Sequence, residues 1–342
     1  MQKKIFILIL VIFIYGCGGD TVKDETPISD VEFRKGTEGI VIEFLNKAPP
    51  DTVFENTPFQ IIMRLDNLGA EDVEQGFITL GLERDYLDLI KWDFKEGFLE
   101  NTDSKETSLF SLEGKTITNP TGGREFVSIN VKSKSIEAQS ESHASLVFAT
   151  ACYQYRTELG TSVCIDTDIF NLRPIEKVCQ VKEMTFTAGQ GAPVAITKVE
   201  TQILPDDTSD KIRPQFLIHI ENKGNGEVIH KERHKQVCTT LNRGDNEELF
   251  EEFNIVFVKA FLSDEIPLDC NPTDEEIESE ISSDIGKVKL KDKKAIARCI
   301  LSKEGAIEGT KDAYISPLRI ELDYGYTETI SAQTTIEKVL KY

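Results

Sequence analysis

One run of this 342-residue chain carries residue types that bind metal: His230-Lys-Glu-Arg-His234-Lys-Gln-Val-Cys238. On a helix, residues four apart share a face, so His230, His234 and Cys238 would present two imidazoles and a thiolate together, a zinc-type set. The glutamate does not follow the first histidine directly, so the metalloprotease spacing is missing. Outside the cell Cys238 would instead be oxidised, leaving both histidines in a charged loop. Carboxylates cluster at Asp206-Asp207, Asp210 and residues 247–252, without the spacing of an EF-hand. No Gly-x-Ser-x-Gly elbow, phosphate loop or kinase set is present. The glycine pairs Gly36/Gly39 and Gly189/Gly191 lack the third glycine of a dinucleotide site. The expectation is therefore a protein without catalysis and without a cofactor. A metal-dependent binder or metalloenzyme using His230 and His234 is the alternative.

The elements that would hold such residues are strands, and the chain writes them twice. Arg64-Leu-Asp-Asn-Leu-Gly69 returns as His219-Ile-Glu-Asn-Lys-Gly224, an offset of 155. Phe59, Ile61, Met63 and Leu65 alternate before the first copy, and Phe216, Ile218 and Ile220 before the second. At each copy the asparagine can turn the chain through its side chain, and the glycine would supply a positive φ, so Asn67, Gly69, Asn222 and Gly224 are expected as structural turns. A second landmark agrees: Val147, Ala149, Ala151, Tyr153 and Tyr155 become Leu318, Ile320, Leu322, Tyr324 and Tyr326 at an offset of 171. About sixteen extra residues thus enter the second copy. A capping box at Thr273-Asp-Glu-Glu276, followed by Ile277, Ile281 and Ile285, predicts that they form a short helix near residues 270–287. Two predicted domains follow, residues 39–172 and 191–342, joined by a linker at 173–190. Short strands with frequent turn signals point to an all-β class, two tandem antiparallel sandwiches.

Lys3-Lys4 precede an apolar run from Ile5 to Tyr15, too short to span a bilayer. Its end, Ile14-Tyr-Gly-Cys17, resembles the lipobox at which prokaryotic lipoproteins are lipidated and cleaved. That resemblance implies a signal over residues 1–17, lipid on Cys17 and a membrane partner through the anchor; an ordinary secretory signal is the alternative. Residues 18–38 are polar and predict a flexible tether. About 325 residues then remain, enough for two cored domains. A formal net charge of -20 excludes nucleic acid as a partner and excludes lying flat on anionic lipid.

Six cysteines besides Cys17 predict three disulfides, with 15 pairings open to them. A hairpin centred on Glu158 would set Cys152 opposite Cys164, with Tyr153 opposite Val163 and Ala151 opposite Ile165. Proximity and elimination suggest Cys270 with Cys299 and Cys179 with Cys238.

An alternating strand ending in Asn-x-Gly, placed second in a domain of this size, resembles the immunoglobulin-like domains of prokaryotic surface proteins, those of the cell-adhesion-related (CARDB) type. The resemblance covers the chain from about residue 39 onward. It implies tandem immunoglobulin-like sandwiches at the cell surface, binding a protein or cell-envelope partner or acting as a spacer. It supplies no catalytic residue.

Overall fold

The two alternating runs that carry Tyr-x-Tyr become the two longest strands among the described residues. The computed structural model describes residues 33–93, 99–101, 105–170, 176–207, 210–240, 251–263, 265–272, 286–309 and 312–339. In the first half these form β1 (Ile40–Phe44), β2 (Thr52–Phe54), β3 (Pro58–Asn67), β4 (Val73–Leu82), β5 (Leu87–Asp93), β6 (Leu99–Asn101), β7 (Thr107–Leu112), β8 (Arg124–Ser133) and β9 (Ser142–Ile165). The second half contributes β10 (Met184–Thr185), β11 (Val194–Pro205), β12 (Lys211–Asn222), β13 (Glu227–Ile229), β14 (Ile255–Leu262) and β15 (Ile266–Pro272). It continues with β16 (Gly286–Lys289), β17 (Lys294–Leu301), β18 (Ile307–Glu308) and β19 (Tyr314–Glu337). A 3-10 turn over Lys231–Arg233 leads into the short helix α1 (His234–Thr240). The fold is all-β, and its strand ladders are antiparallel apart from β2 against β19. The signal, Cys17 and most of the tether lie outside the described residues, as do residues 273–285 with the expected isoleucine helix and most of the 247–252 cluster.

Strands β1-β3-β8-β5 make a four-stranded sheet, and the other fifteen make a second one along the path β10-β11-β12-β17-β15-β14-β19-β9-β4-β7-β6, with β2 and β13 pairing β19, β16 pairing β14 and β18 pairing β12 off that path. Every second residue of β3 and β8 is buried, among them Ile61, Met63, Leu65, Val127, Ile129 and Val131. These side chains meet Ile78, Leu80, Val147, Ala149 and Ala151 from β4 and β9. In the second half Phe216, Ile218 and Ile220 of β12 meet Val256, Val258, Leu318 and Ile320 in the same way. All of them belong to one continuous core, and the described residues form one compact unit.

Continuity comes from β9 and β19. The two pair antiparallel over all 24 residues of each. Gln154 lies opposite Gly325, its own equivalent at the offset of 171, so an approximate two-fold axis passes through that pair. Each strand starts in its own half and ends in the other. Thr157 donates to the carbonyl of Val194 at 2.5 Å, and Val163 and Ile165 are buried among second-half residues. Reciprocally, Thr335–Glu337 pair with Thr52–Phe54, and Thr334 donates to the Pro50 carbonyl at 2.7 Å.

The expected hairpin at Glu158 is therefore replaced by a straight strand. The burial parity that starts at Ser145 runs unbroken through Leu159, Val163 and Ile165, while Glu158 points outward and pairs with Arg34 at 2.8 Å. Without that hairpin Cys152 cannot face Cys164. Cys152 is bonded to Cys238, and Cys164 to Cys179, correcting both expected pairs. Cys270 and Cys299 are bonded as expected, directly opposed on β15 and β17.

The position of the extra residues is also corrected. Phe77 pairs with Cys152 and Phe257 with Asp323, so these phenylalanines are equivalent at an offset of 180. The turn before them is offset by 155. Twenty-five residues thus enter between Ile229 and Phe257, where the 3-10 turn and α1 lie, and not near 270–287. The last residues of the expected tether are held as well: Gly36 N–H donates to Ala188 O at 2.8 Å, and Gly191 N–H to Gly36 O at 2.9 Å.

Candidate functional site

Around the two-fold axis the same polar cluster is built twice. Asn67 ends β3; its Nδ2 donates to Glu71 O at 2.8 Å and its Oδ1 accepts from Gly69 N–H at 3.2 Å. Asn222 ends β12 with the same two bonds, to Gly226 O at 2.9 Å and from Gly224 N–H at 3.1 Å. The Tyr155 hydroxyl donates to Asn67 Oδ1 at 3.1 Å and accepts from Glu71 N–H at 3.3 Å. Tyr326 does the same for Asn222 at 3.3 Å and for Gly226 N–H at 2.8 Å. Tyr153 and Tyr324 complete the set by accepting from Ile40 N–H at 3.0 Å and Val194 N–H at 3.3 Å. The four rings pack tilted or edge-on, 5.5 to 6.4 Å apart. Burial pushes all four phenols upward, so they remain donors. Neither turn glycine has a positive φ; the expected conformational role is replaced by a steric one, since each tyrosine hydroxyl occupies the space of a glycine Cβ.

On the other face of β9 and β19 the symmetry breaks. At the offset of 171 Cys152 is equivalent to Asp323, and Arg156 to Thr327. The Cys152–Thr327 pair lies under α1, stapled there by Cys238, with Val237 and Cys238 buried. The Arg156–Asp323 pair instead floors a cleft of about 930 Å³. Its walls come from Glu71–Gln75 of the β3–β4 connection and β4, from Lys115 and Thr116, and from Lys231 and Glu232 of the insertion. Arg156 Nε lies 2.6 Å from Asp323 and Lys259 Nζ 3.2 Å from it. Gln154 donates to the Lys231 carbonyl at 2.9 Å, tying the insertion to the floor.

Two carboxyls of the cleft shift in opposite senses. Burial alone would raise Asp323, but the Arg156 hydrogen bond and the charges of Arg156 and Lys259 outweigh it and hold the carboxyl below the ordinary 3.8. Glu71 is raised above 4.5, because its burial outweighs the charges of Arg156 and Arg34. The linkage signs follow. Asp323 contributes stability that is present above its unfolded pKa and lost as pH falls through its depressed folded value. Ionised Glu71 opposes folding at neutral pH, and that opposition fades as pH falls through its raised value. Glu71→Gln is thus expected to raise Tm at about pH 7 and to leave it unchanged at about pH 3. Asp323→Asn is expected to lower Tm more at the higher pH than at the lower. Thermal melts of both variants at the two pH values check this; a shift of the opposite sign in either would refute the assignment.

The His230–Cys238 run does not assemble as a metal face. Cys238 is consumed by its disulfide. His230 caps the 3-10 turn, accepting from Glu232 N–H at 3.2 Å, with its ring edge-on to Phe257. His234 is buried beside Phe77, with Nδ1 2.9 Å from the Lys231 carbonyl. Burial lowers both imidazoles. Among the described residues no group of three His, Cys, Asp or Glu is placed to hold a metal ion. In the acidic cluster Asp207 pairs with Lys303 at 2.9 Å. The cleft residues escape a motif search, since no short motif contains them. Their signal is the contrast between the repeat copies, cysteine against aspartate and threonine against arginine at equivalent strand positions.

Fold and sulfur chemistry define a disulfide-bonded, all-β protein of an oxidising, extracytoplasmic compartment. Among the described residues no helix is long and apolar enough to cross a membrane. No protein-family model matches the chain, and no curated protein matches its sequence. Solved structures with partial likeness include a chain of a type I cohesin–dockerin complex from Clostridium thermocellum, 10% identical over 35% of this chain and 85% of that one, TM-score 0.23. A chain named BspA_C_mut is 6% identical over 89% of this chain and 98% of that one, TM-score 0.21. The C-terminal domain of the Streptococcus pyogenes antigen I/II-family protein AspA is 5% identical over 89% and 98%, TM-score 0.19. At such TM-scores these likenesses carry no argument about fold or function.

Proposed function

We propose that this protein is a binding or spacer module of the cell surface, built from two immunoglobulin-like halves, anchored by lipid on Cys17 and acting without catalysis. The observation that carries this reading is the reciprocal β9–β19 exchange, which makes a stiff body with a polar cleft at its centre. A rigid scaffold that presents loops and a sheet edge suits recognition. Among the described residues the cleft lining has no histidine, cysteine or serine, so it holds neither a Ser–His nor a Cys–His pair. A volume of this order accommodates a short segment of a partner in the envelope.

Detergent phase partitioning tests the anchor. The wild-type protein is expected in the detergent phase, and Cys17→Ser in the aqueous phase or at the mass of the unprocessed precursor. Equal partitioning of both, with unchanged mature mass, would remove lipid anchoring from the proposal.

A further inference from the structure

We propose that the cleft binds an extended peptide strand of a partner protein, polar and carrying both charges, by pairing it with the edge of β9 at Gln154–Arg156. The proposal deepens the binding reading above and rests on it. The second half of the fold shows what fills this place. There β13 pairs with β19, Glu227 opposite Thr327, Val228 opposite Tyr326 and Ile229 opposite Gly325. The equivalents of Gly325–Thr327 at the offset of 171 are Gln154–Arg156, and among the described residues no strand pairs with these on the side away from β19.

The stretch that would fill the gap is Asp72–Glu74, the equivalent of β13 at the offset of 155. A bulge draws it away. β4 pairs with β9 only from Phe77 to Leu82, and its register against β7 jumps from Val73–Leu112 to Gly76–Phe110. Bulges of this kind terminate pairing and bend the strand. The space opened between Glu71–Gln75 and Gln154–Arg156 is the cleft. An open strand edge is a template for another chain: main-chain hydrogen bonds hold the incoming strand, and alternate side chains meet the walls. Those walls offer both signs of charge. Among the described residues Lys115 and Lys231 have no carboxylate partner, Lys231 lying over the Phe257 ring at 4.7 Å, and the Glu71 carboxylate is in no ion pair and meets the charges of Arg156 and Arg34 only at longer range. Glutamate and lysine side chains of an inserted strand would each find a partner there.

Amide hydrogen exchange on the whole protein tests the pairing. Two synthetic octapeptides and an oligouronate of similar length serve as probes at about 1 mM, an excess suited to weak strand addition. The first peptide alternates threonine with glutamate and lysine; the second has the same charges but proline in place of two threonines. Of three consecutive strand residues at least one turns its amide to the open edge. The first peptide is expected to slow exchange about tenfold or more at one or more of Gln154–Arg156, and the proline peptide to leave it unchanged, because proline cannot donate to a ladder. No slowing, equal slowing by the proline peptide, or slowing by the oligouronate alone would overturn the proposal. Deleting Glu74, the one extra residue, so that β4 can zip onto β9 with Val73 opposite Tyr155, is expected to abolish the effect of the first peptide. If that deletion does not fold, the three probes on the wild-type protein still decide. Failure here with detergent partitioning intact leaves the surface-module reading standing, whereas loss of partitioning strikes that reading and not the pairing.

Discussion

Valine at position 69 or 224 is expected to destabilise the whole protein by about 3 kcal/mol or more, the upper range for overpacking a filled site. A Cβ on Gly69 would fall 1.8 Å from the Tyr155 hydroxyl and 2.7 Å from the Gly191 carbonyl; on Gly224 it would fall 2.2 Å from the Tyr326 hydroxyl. The tyrosine would have to leave the asparagine and the backbone N–H it serves, stranding buried polar groups at a further ~1–3 kcal/mol. Because β9 and β19 each complete the other half's core, the loss should not stay local. Calorimetry is expected to show one transition in the wild type and one, lowered, in each variant. Two transitions of which a single one moves would mean that the halves fold independently. Unchanged melting in both variants would mean that the tyrosine and glycine do not meet as described.

The second large effect concerns the staple across the axis. Cys152→Ser with Cys238→Ser opens a crosslink spanning 86 residues, for which loop-closure entropy gives about 4.5 kcal/mol. The same relation gives about 3 kcal/mol for Cys164–Cys179, 15 residues apart, with Cys270–Cys299, 29 apart, between them. Denaturant titration of the three double-serine variants is expected to rank them in that order. The first should also speed amide exchange in α1, since a helix of seven residues has little stability of its own. A first variant as stable as the wild type, with α1 still protected, would show that packing of Val237 and His234 holds the helix without the bond.

Much of the fold is legible in the residues alone. Alternation with a period of two sets which side of a strand is apolar, so the all-β class and the burial of Tyr153, Tyr155, Tyr324 and Tyr326 follow from the chain itself. Repetition of Asn-x-Gly and Tyr-x-Tyr at two offsets marks the duplication, and those residues do meet, Asn67 with Tyr155 and Asn222 with Tyr326. Where a strand stops, and which strand it faces, is another matter. Glu158 and Gly160 look like a turn in sequence, yet an outward glutamate costs a strand little, and the parity of Leu159, Val163 and Ile165 carries β9 onward into the other half. That extension, decided by the core waiting there, removes the hairpin that would have joined Cys152 to Cys164 and leaves Cys152 facing the helix of an insertion that follows it in the chain, from Lys231 onward, instead. The cleft too belongs to tertiary structure. Arg156, Asp323, Lys259 and Glu71 are unremarkable polar residues on separate segments, brought together because two strands cross at the axis and a bulge in β4 holds a third away.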